Sequence, residues 1–545
     1  MMDACWSTIL ASYRVALAAN PEASLSMFLL AVPVFALPLA VVLAPAMQRI
    51  YSRRVQRFMG LREVEAPPIA WWQRRERQLA RPQGGSQDAA LREAMRQRER
   101  RIVRATLAAY LVFVLYALLV APFYDDMAAL DIALMVAFAA MLGAGPAIVN
   151  IMPHGSKWLA LAGAGAVTAM AIWAEGDVGL DDALIGMTLV VLLYITSVHR
   201  TMRALVVPLL VLSGSALVGA GLAMASLVPM NCVTPGAGAT SAIPVGDWAI
   251  IGATLCVAVL AFTVCLWMGT RLLVGLARVV QRGWLSDVSL VAATGLALLA
   301  GILVLAADDP NANSGVKAAL FAGWLGLTAS AYGWTLRSQP APRAGRRLLM
   351  LRVFSRDRRT ERLLDAIQSR WRLAGPVLQI AGPDLVRLNL DLHEFIHLVS
   401  FRLHEMFQPA AVPRETLAAS LDLAPDREGR FRVNEVFCFD SSWRTVLDHL
   451  LDMADAVLLD LRGFGETRKG TAHEVRRLAA LGLMPKVVAL GDRDTDWSFF
   501  GRCVAEAAAV VNSPPEVDTA SPEALQQCLD RLLDIADSRP VPPSP

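Results

Sequence analysis

The sequence predicts a polytopic α-helical membrane body of about nine spans, followed by a cytosolic α/β domain of the doubly wound class. Three observations lead there. Apolar stretches of membrane-spanning length recur up to residue 340, and basic and acidic connections alternate between them. From residue 345 onward, short apolar runs alternate with amphipathic helical patterns. Composition agrees: with 55% hydrophobic and 18% charged residues and a mean hydropathy of +0.46, the chain lies on the membrane side of ordinary globular proteins.

A helix crosses a hydrocarbon layer of roughly 30 Å with about twenty apolar residues. Stretches near 25–46, 103–122, 129–150, 158–174, 183–198, 204–229, 249–270, 287–307 and 316–336 meet that test. Connections at Lys157, Arg200–Arg203, Arg271–Arg282 and Arg337–Arg347 are basic, and those facing the other side are acidic or neutral. Retention of basic loops in the cytoplasm then places residues 1–24 outside and the C-terminal domain inside, at the inner (plasma) membrane. The first twenty residues contain Asp3 and Arg14, so no cleavable signal peptide is expected. Span interiors are nearly free of Asp, Glu, Lys and Arg, which disfavours proton- or sodium-coupled transport. Small-residue runs such as GAGAV at 163–167 suit close helix packing.

Within the membrane domain, 25–340, the cytosolic loop 49–102 is crowded with Arg. Trp71 and Trp72 beside Arg74, Arg75 and Arg77 suit an anionic interface, and SQDAALREAMRQRERR reads as a charged helix. This loop is either a topological signal or a coupling element that touches the C-terminal domain. Seven scattered cysteines without a CxxC pair give neither a disulfide framework nor a zinc site. No resident metal or cofactor and no nucleic-acid partner is expected.

The domain 345–536 reads as RLLMLRVF (347–354), PVLQIAG (376–382), NEVFCFD (434–440), AVLLDLR (456–462) and KVVALGD (486–492), separated by helices near 359–373, 392–406, 441–454 and 470–482. Strands and helices at this spacing imply a parallel sheet covered on both faces. Residues 537–545 are a disordered tail. In open α/β sheets ligands bind beyond the carboxyl ends of the strands. That rule collects Ser355 and Arg356, Asp384, Asp440 with Trp443, and Asp460 with Arg462. It also takes in the loop GFGETRKG, with Gly463, Thr467 and Gly470, and Glu474 one turn into the next helix. A carboxylate there could stabilise or attack an oxocarbenium-like centre. Arg462 and Arg468 could bind phosphate, and the helix start offers backbone amides to an anion.

ADAVLLDLRGFGETRKGTAHEVRRLAALG (454–482) resembles the strand–loop–helix of nucleoside 2-deoxyribosyltransferase-like and TIR-like domains. LLMLRVFSRDRRTERLLDAI (348–367) is similar to a TIR first-strand box. The resemblance implies a flavodoxin-like, TIR-like fold with Glu474 as the catalytic glutamate and 355–358 lining a nucleotide pocket. It implies cleavage or transfer at an N-glycosidic bond of NAD or a nucleotide, in a homo-oligomeric signalling or defence protein. Thr471, Ala472 and His473 stand where many TIR domains carry a Trp-Cys pair.

Simpler roles exist for the same residues. Asp460 could hold Arg462 in a structural ion pair, Glu474 could pair on the surface with Arg477 at i+3, and Trp443 could be a packing anchor. His393, His397 and His404 share a helical face without a second ligand cluster. The alternative function is a structural or transporter-type membrane protein whose cytosolic domain is a non-catalytic regulatory or docking module.

Overall fold

The computed structural model describes residues 42–43, 45–60, 86–120, 208, 211–212, 215–216, 245–283, 314–337, 345–352, 370–382, 392–507, 516–518 and 522–537. The chain divides into two compact units. One comprises Met1–Ala44, Ala105–Arg282 and Asp287–Trp334; the other comprises Pro45–Arg104, Gly283–Ser286 and Thr335–Pro545.

The nine-span body is not what the structure supports. Among the described residues one helical segment, Leu255–Val280, is long and apolar enough to cross a membrane, with a mean hydropathy of 2.0 over 26 residues. It lies within α2 (Val245–Gln281), following α1 (Ser86–Val120) and preceding α3 (Ser314–Arg337). The stretches at 129–150, 158–174, 183–198 and 287–307, like the segments 1–24 and 538–545, lie outside the described residues.

The second unit is built on a parallel sheet of β1 (Leu348–Arg352), β2 (Val377–Ile380), β3 (Phe407–Gln408), β4 (Val433–Cys438), β5 (Ala456–Asp460), β6 (Val487–Gly491) and β7 (Glu516–Asp518). All five residues of β1, β5 and β6 are buried, as two-sided coverage of a parallel sheet demands. Alternation then divides the core. Leu349, Leu351, Val457 and Leu459 face α5 (Arg414–Ser420), α6 (Trp443–Met453), α7 (Lys469–Ala480) and α8 (Trp497–Ala505). Leu348, Met350, Ala456 and Leu458 face Trp371 and α9 (Pro522–Asp537), where Ala94 and Met95 of α1 also pack. On α6, Val446, Leu447, Leu450 and Leu451 are fully buried, each worth roughly 1.5–3 kcal/mol of hydrophobic transfer.

The strand order is β3-β4-β2-β1-β5-β6-β7. Setting aside the two-residue edge strand β3, the order is that of the dinucleotide-binding fold, with the third strand outside the second and the fourth beside the first. This corrects the flavodoxin-like, TIR-like order, which would place the third strand beside β1. The reason is connectivity: after β2 the chain travels to the edge through α4 (Leu392–Val399) and β3, and β4 returns to pair with β2. The place beside β1 is left to β5, in the register Arg352 opposite Asp460. The chain therefore reverses direction between β1 and β5. Arg347 fixes the start of this pair, its backbone N–H and guanidinium donating to Asp455 at 2.8–3.2 Å.

Candidate active site

The carboxyl ends of β1 and β5 define the switch point, and the chain leaving β5 builds its rim. Leu461 and Phe464 are buried, Phe464 stacking on Phe499 at 5.3 Å, so the loop is anchored from beneath. Thr495 ties it to the loop after β6 by donating to the Leu461 carbonyl at 3.0 Å. Between the anchors Gly463 adopts φ +67, a left-handed conformation that side-chain-bearing residues rarely take, and its N–H donates to Asp492 at 3.2 Å.

Asp460 and Arg462 do not form an open binding pair. Arg462 Nε and Nη2 donate to the two Asp460 oxygens at 2.8 Å each, and both side chains are buried. The forked geometry satisfies both partners, so this guanidinium is committed to the fold rather than offered to a phosphate.

Glu474 has the opposite character. It retains 8% exposure in the second turn of α7, and its Oε2 has no hydrogen-bond partner among the described residues. Burial alone pushes its carboxyl up to about 8, so at neutral pH the acid is mostly protonated. The i+3 pairing with Arg477 is absent because Arg477 donates instead to Asp448 of α6 at 2.6 and 3.1 Å. Eight residues separate β5 from α7, and at 1.5 Å rise per residue Glu474 sits roughly 7 Å inside the helix end that faces the carboxyl edge. At that end Arg468 supplies no side-chain cap, and Gly470 and Thr467 are exposed. The first-turn amides are thus open to an anion.

Trp443 opens α6 directly after β4. It is half-buried against the core and meets His473 edge to face at 5.2 Å, with the Arg444 guanidinium 5.4 Å from its ring centre. Burial, and then Arg444, hold the His473 imidazole below its ordinary value, so the residue beside Glu474 is neutral at pH 7. Asp440 is exposed. Ser442 occupies the cap position of α6, but its hydroxyl donates to the Phe439 carbonyl at 3.2 Å and leaves the helix without a side-chain cap. Ser355, Arg356 and Asp384 lie outside the described residues. Among the described residues no group of three or more His, Cys, Asp or Glu side chains could hold a metal ion. The structure adds Arg352, which is buried at the end of β1 in register with Asp460. Its place at the end of an apolar strand was the available signal.

The described arrangement gathers a protonated acid, a neutral imidazole and an indole beside an uncapped helix start. No family model, no curated protein and no solved structure matches the chain.

Proposed function

We propose that the α/β domain takes a nucleotide along the carboxyl edge of its sheet and that Glu474 acts on an N-glycosidic bond of that ligand, NAD or another nucleotide, in signalling or defence. The observation that carries the reading is Glu474 itself: a buried acid with an unpartnered oxygen, next to the switch point of a dinucleotide-type sheet. Burying such a group without a partner lowers stability, and function is the usual reason for keeping it.

The chemistry follows from its protonation. The nicotinamide ring of NAD is a cation, and placed against Glu474 it favours the carboxylate, releasing one proton to solvent. The bond from C1′ to nitrogen breaks with its electron pair on nitrogen, and nicotinamide leaves neutral. Positive charge passes to the sugar, where the carboxylate stabilises it. Water oxygen then bonds to C1′ and its proton returns to Glu474. For NAD the sum is NAD plus water giving nicotinamide, a sugar hydroxyl and one proton. Phosphate would lie at the open amides of α7.

The same proposal places the domain on the cytoplasmic side of a membrane. The segment Leu255–Val280 supports this, since only 17% of its most apolar window is buried, Arg278 lies in the last turn of its helix and Arg282 just beyond. The test incubates the full chain and its Glu474→Gln variant, at high protein concentration, with NAD and a panel of nucleosides and nucleotides. Loss of base release by about 10²–10⁴-fold in the variant is expected for removal of an acid–base group. Equal release from both proteins would sink the catalytic role. Thermal stabilisation by a nucleotide without turnover would favour the second reading, a sensing or docking module. The committed Asp460–Arg462 pair favours that reading, because it withdraws one cation from phosphate binding.

A further inference from the structure

We propose that the Glu474 site is regulated through β4, which segments 45–60 and 86–104 and Gly283 grip at both ends; the inference rests on Glu474 being the reacting group. At the amino end, Arg98 lies 3.8 Å from Glu428, with side-chain exposures of 3% and 1%. The Arg427 N–H donates to the Gly283 carbonyl at 3.0 Å. These contacts fall on a closed turn, in which the Arg430 N–H donates to Asp426 at 2.8 Å, and the chain passes from it directly into β4.

At the carboxyl end the helix over 45–58 delivers Phe58 to Phe407 at 5.4 Å, and Phe407 meets Phe437 and Phe439 at 5.7 and 4.9 Å. A Cβ on Gly60 would lie 3.7 Å from that of Asp440. The Ser442 N–H and hydroxyl both donate to the Phe439 carbonyl, closing the turn that leads into Trp443. Trp443 then contacts His473, the neighbour of Glu474.

The gripping residues lie in the segments by which the chain passes to the other compact unit, at 44/45, 104/105 and 282/283. A strand held at both ends moves with its clamps. Close-packed interiors transmit such shifts rather than absorb them. Displacing Trp443 passes through its ring contact with His473 to the turn of α7 that carries Glu474, and so to the burial of that carboxyl. Arg444, Asp448, His473, Arg476 and Arg477 stand on the same two helices, yet burial is the sole cause of the Glu474 shift. Glu474 protonation therefore reports the state of β4 without any substrate.

The experiment labels the full chain with dicyclohexylcarbodiimide. The protonated carboxyl adds across one C=N bond, and the O-acylisourea rearranges to a stable N-acylurea that mass spectrometry locates. The labelling rate at Glu474 is followed against pH. Wild type should lose labelling with a midpoint near 8. Phe58→Ala and Arg98→Ala should each lower that midpoint by a unit or more, a tenfold rise in acid dissociation. Phe58→Leu should return it towards wild type, and Arg414→Ala, in an exposed pair with Asp452, should leave it unchanged. An unchanged midpoint in Phe58→Ala, folded by its melting transition, overturns the proposal even if Arg98→Ala does not fold. Absence of Glu474 labelling in wild type removes the site and the regulation with it. A shifted midpoint in a chain that releases no base supports the regulation and removes only the enzymatic reading.

Discussion

Glu474 also makes a thermodynamic prediction that is independent of any substrate. Its folded value of about 8 stands above the ordinary 4.5, so its stabilising effect is fully present below 4.5 and is lost as pH rises through 8. At about 1.4 kcal/mol per unit, the loss over that window approaches roughly 5 kcal/mol as an upper bound. Glu474→Gln keeps the shape and cannot ionise. The variant should unfold like wild type at pH 4.5 and be the more stable protein by several kcal/mol at pH 8.5, read by denaturant titration. Asp460 should behave in the contrary way: Asp460→Asn leaves Arg462 buried and uncompensated, and about 3–5 kcal/mol of stability should disappear. At this scale the position of Glu474 was legible, because an acid one turn into the helix after an apolar strand falls at the sheet's ligand edge. Its burial was not, since Arg477 three residues on looks like a partner. The true partner of Arg477 is Asp448, 29 residues away in sequence.

Among the elements, β1 and β2 meet through a close backbone approach that only glycine permits. A Cβ on Gly375 would collide with the Arg346 carbonyl oxygen, a backbone atom with nowhere to go. Gly375→Ala should therefore separate the starts of the two central strands and lower the denaturation midpoint more than an ordinary core truncation, by more than about 2 kcal/mol. The central strands announce themselves in the sequence because LLMLR and AVLLD are apolar throughout, as strands covered on both faces must be. Their neighbours do not. Nothing within five residues of β4 states that it pairs with β2 rather than β1. The two-residue β3 and three-residue β7 carry too few side chains for any period to register. α6 and α7 were readable from their apolar spacing, and their first residues shift only slightly from the expected starts.

For the molecule as a whole, the change of character near residue 345 marks where the sheet begins and not where its unit begins. Pro45–Arg104 and Gly283–Ser286 belong to the same compact unit as the sheet. Charge density left 49–102 open between a topological signal and a coupling element that touches the C-terminal domain; Arg98 is buried against Glu428, and Ala94 and Met95 pack on the core. Contacts between residues hundreds of positions apart leave no local pattern, so neither they nor the strand order could be read in advance. Among the described residues one helical segment, Leu255–Val280, meets the spanning test, fewer than the apolar stretches of the sequence suggested.

The most direct test of the central claim is the pH dependence of base release from NAD by the full chain and by Glu474→Gln. With the ionised Glu474 required in the free site, kcat/KM should rise about tenfold per pH unit below 8 and level off above it, and the variant should lose about 10²-fold or more. A profile flat between pH 6 and 9, or a variant as active as wild type, would contradict it.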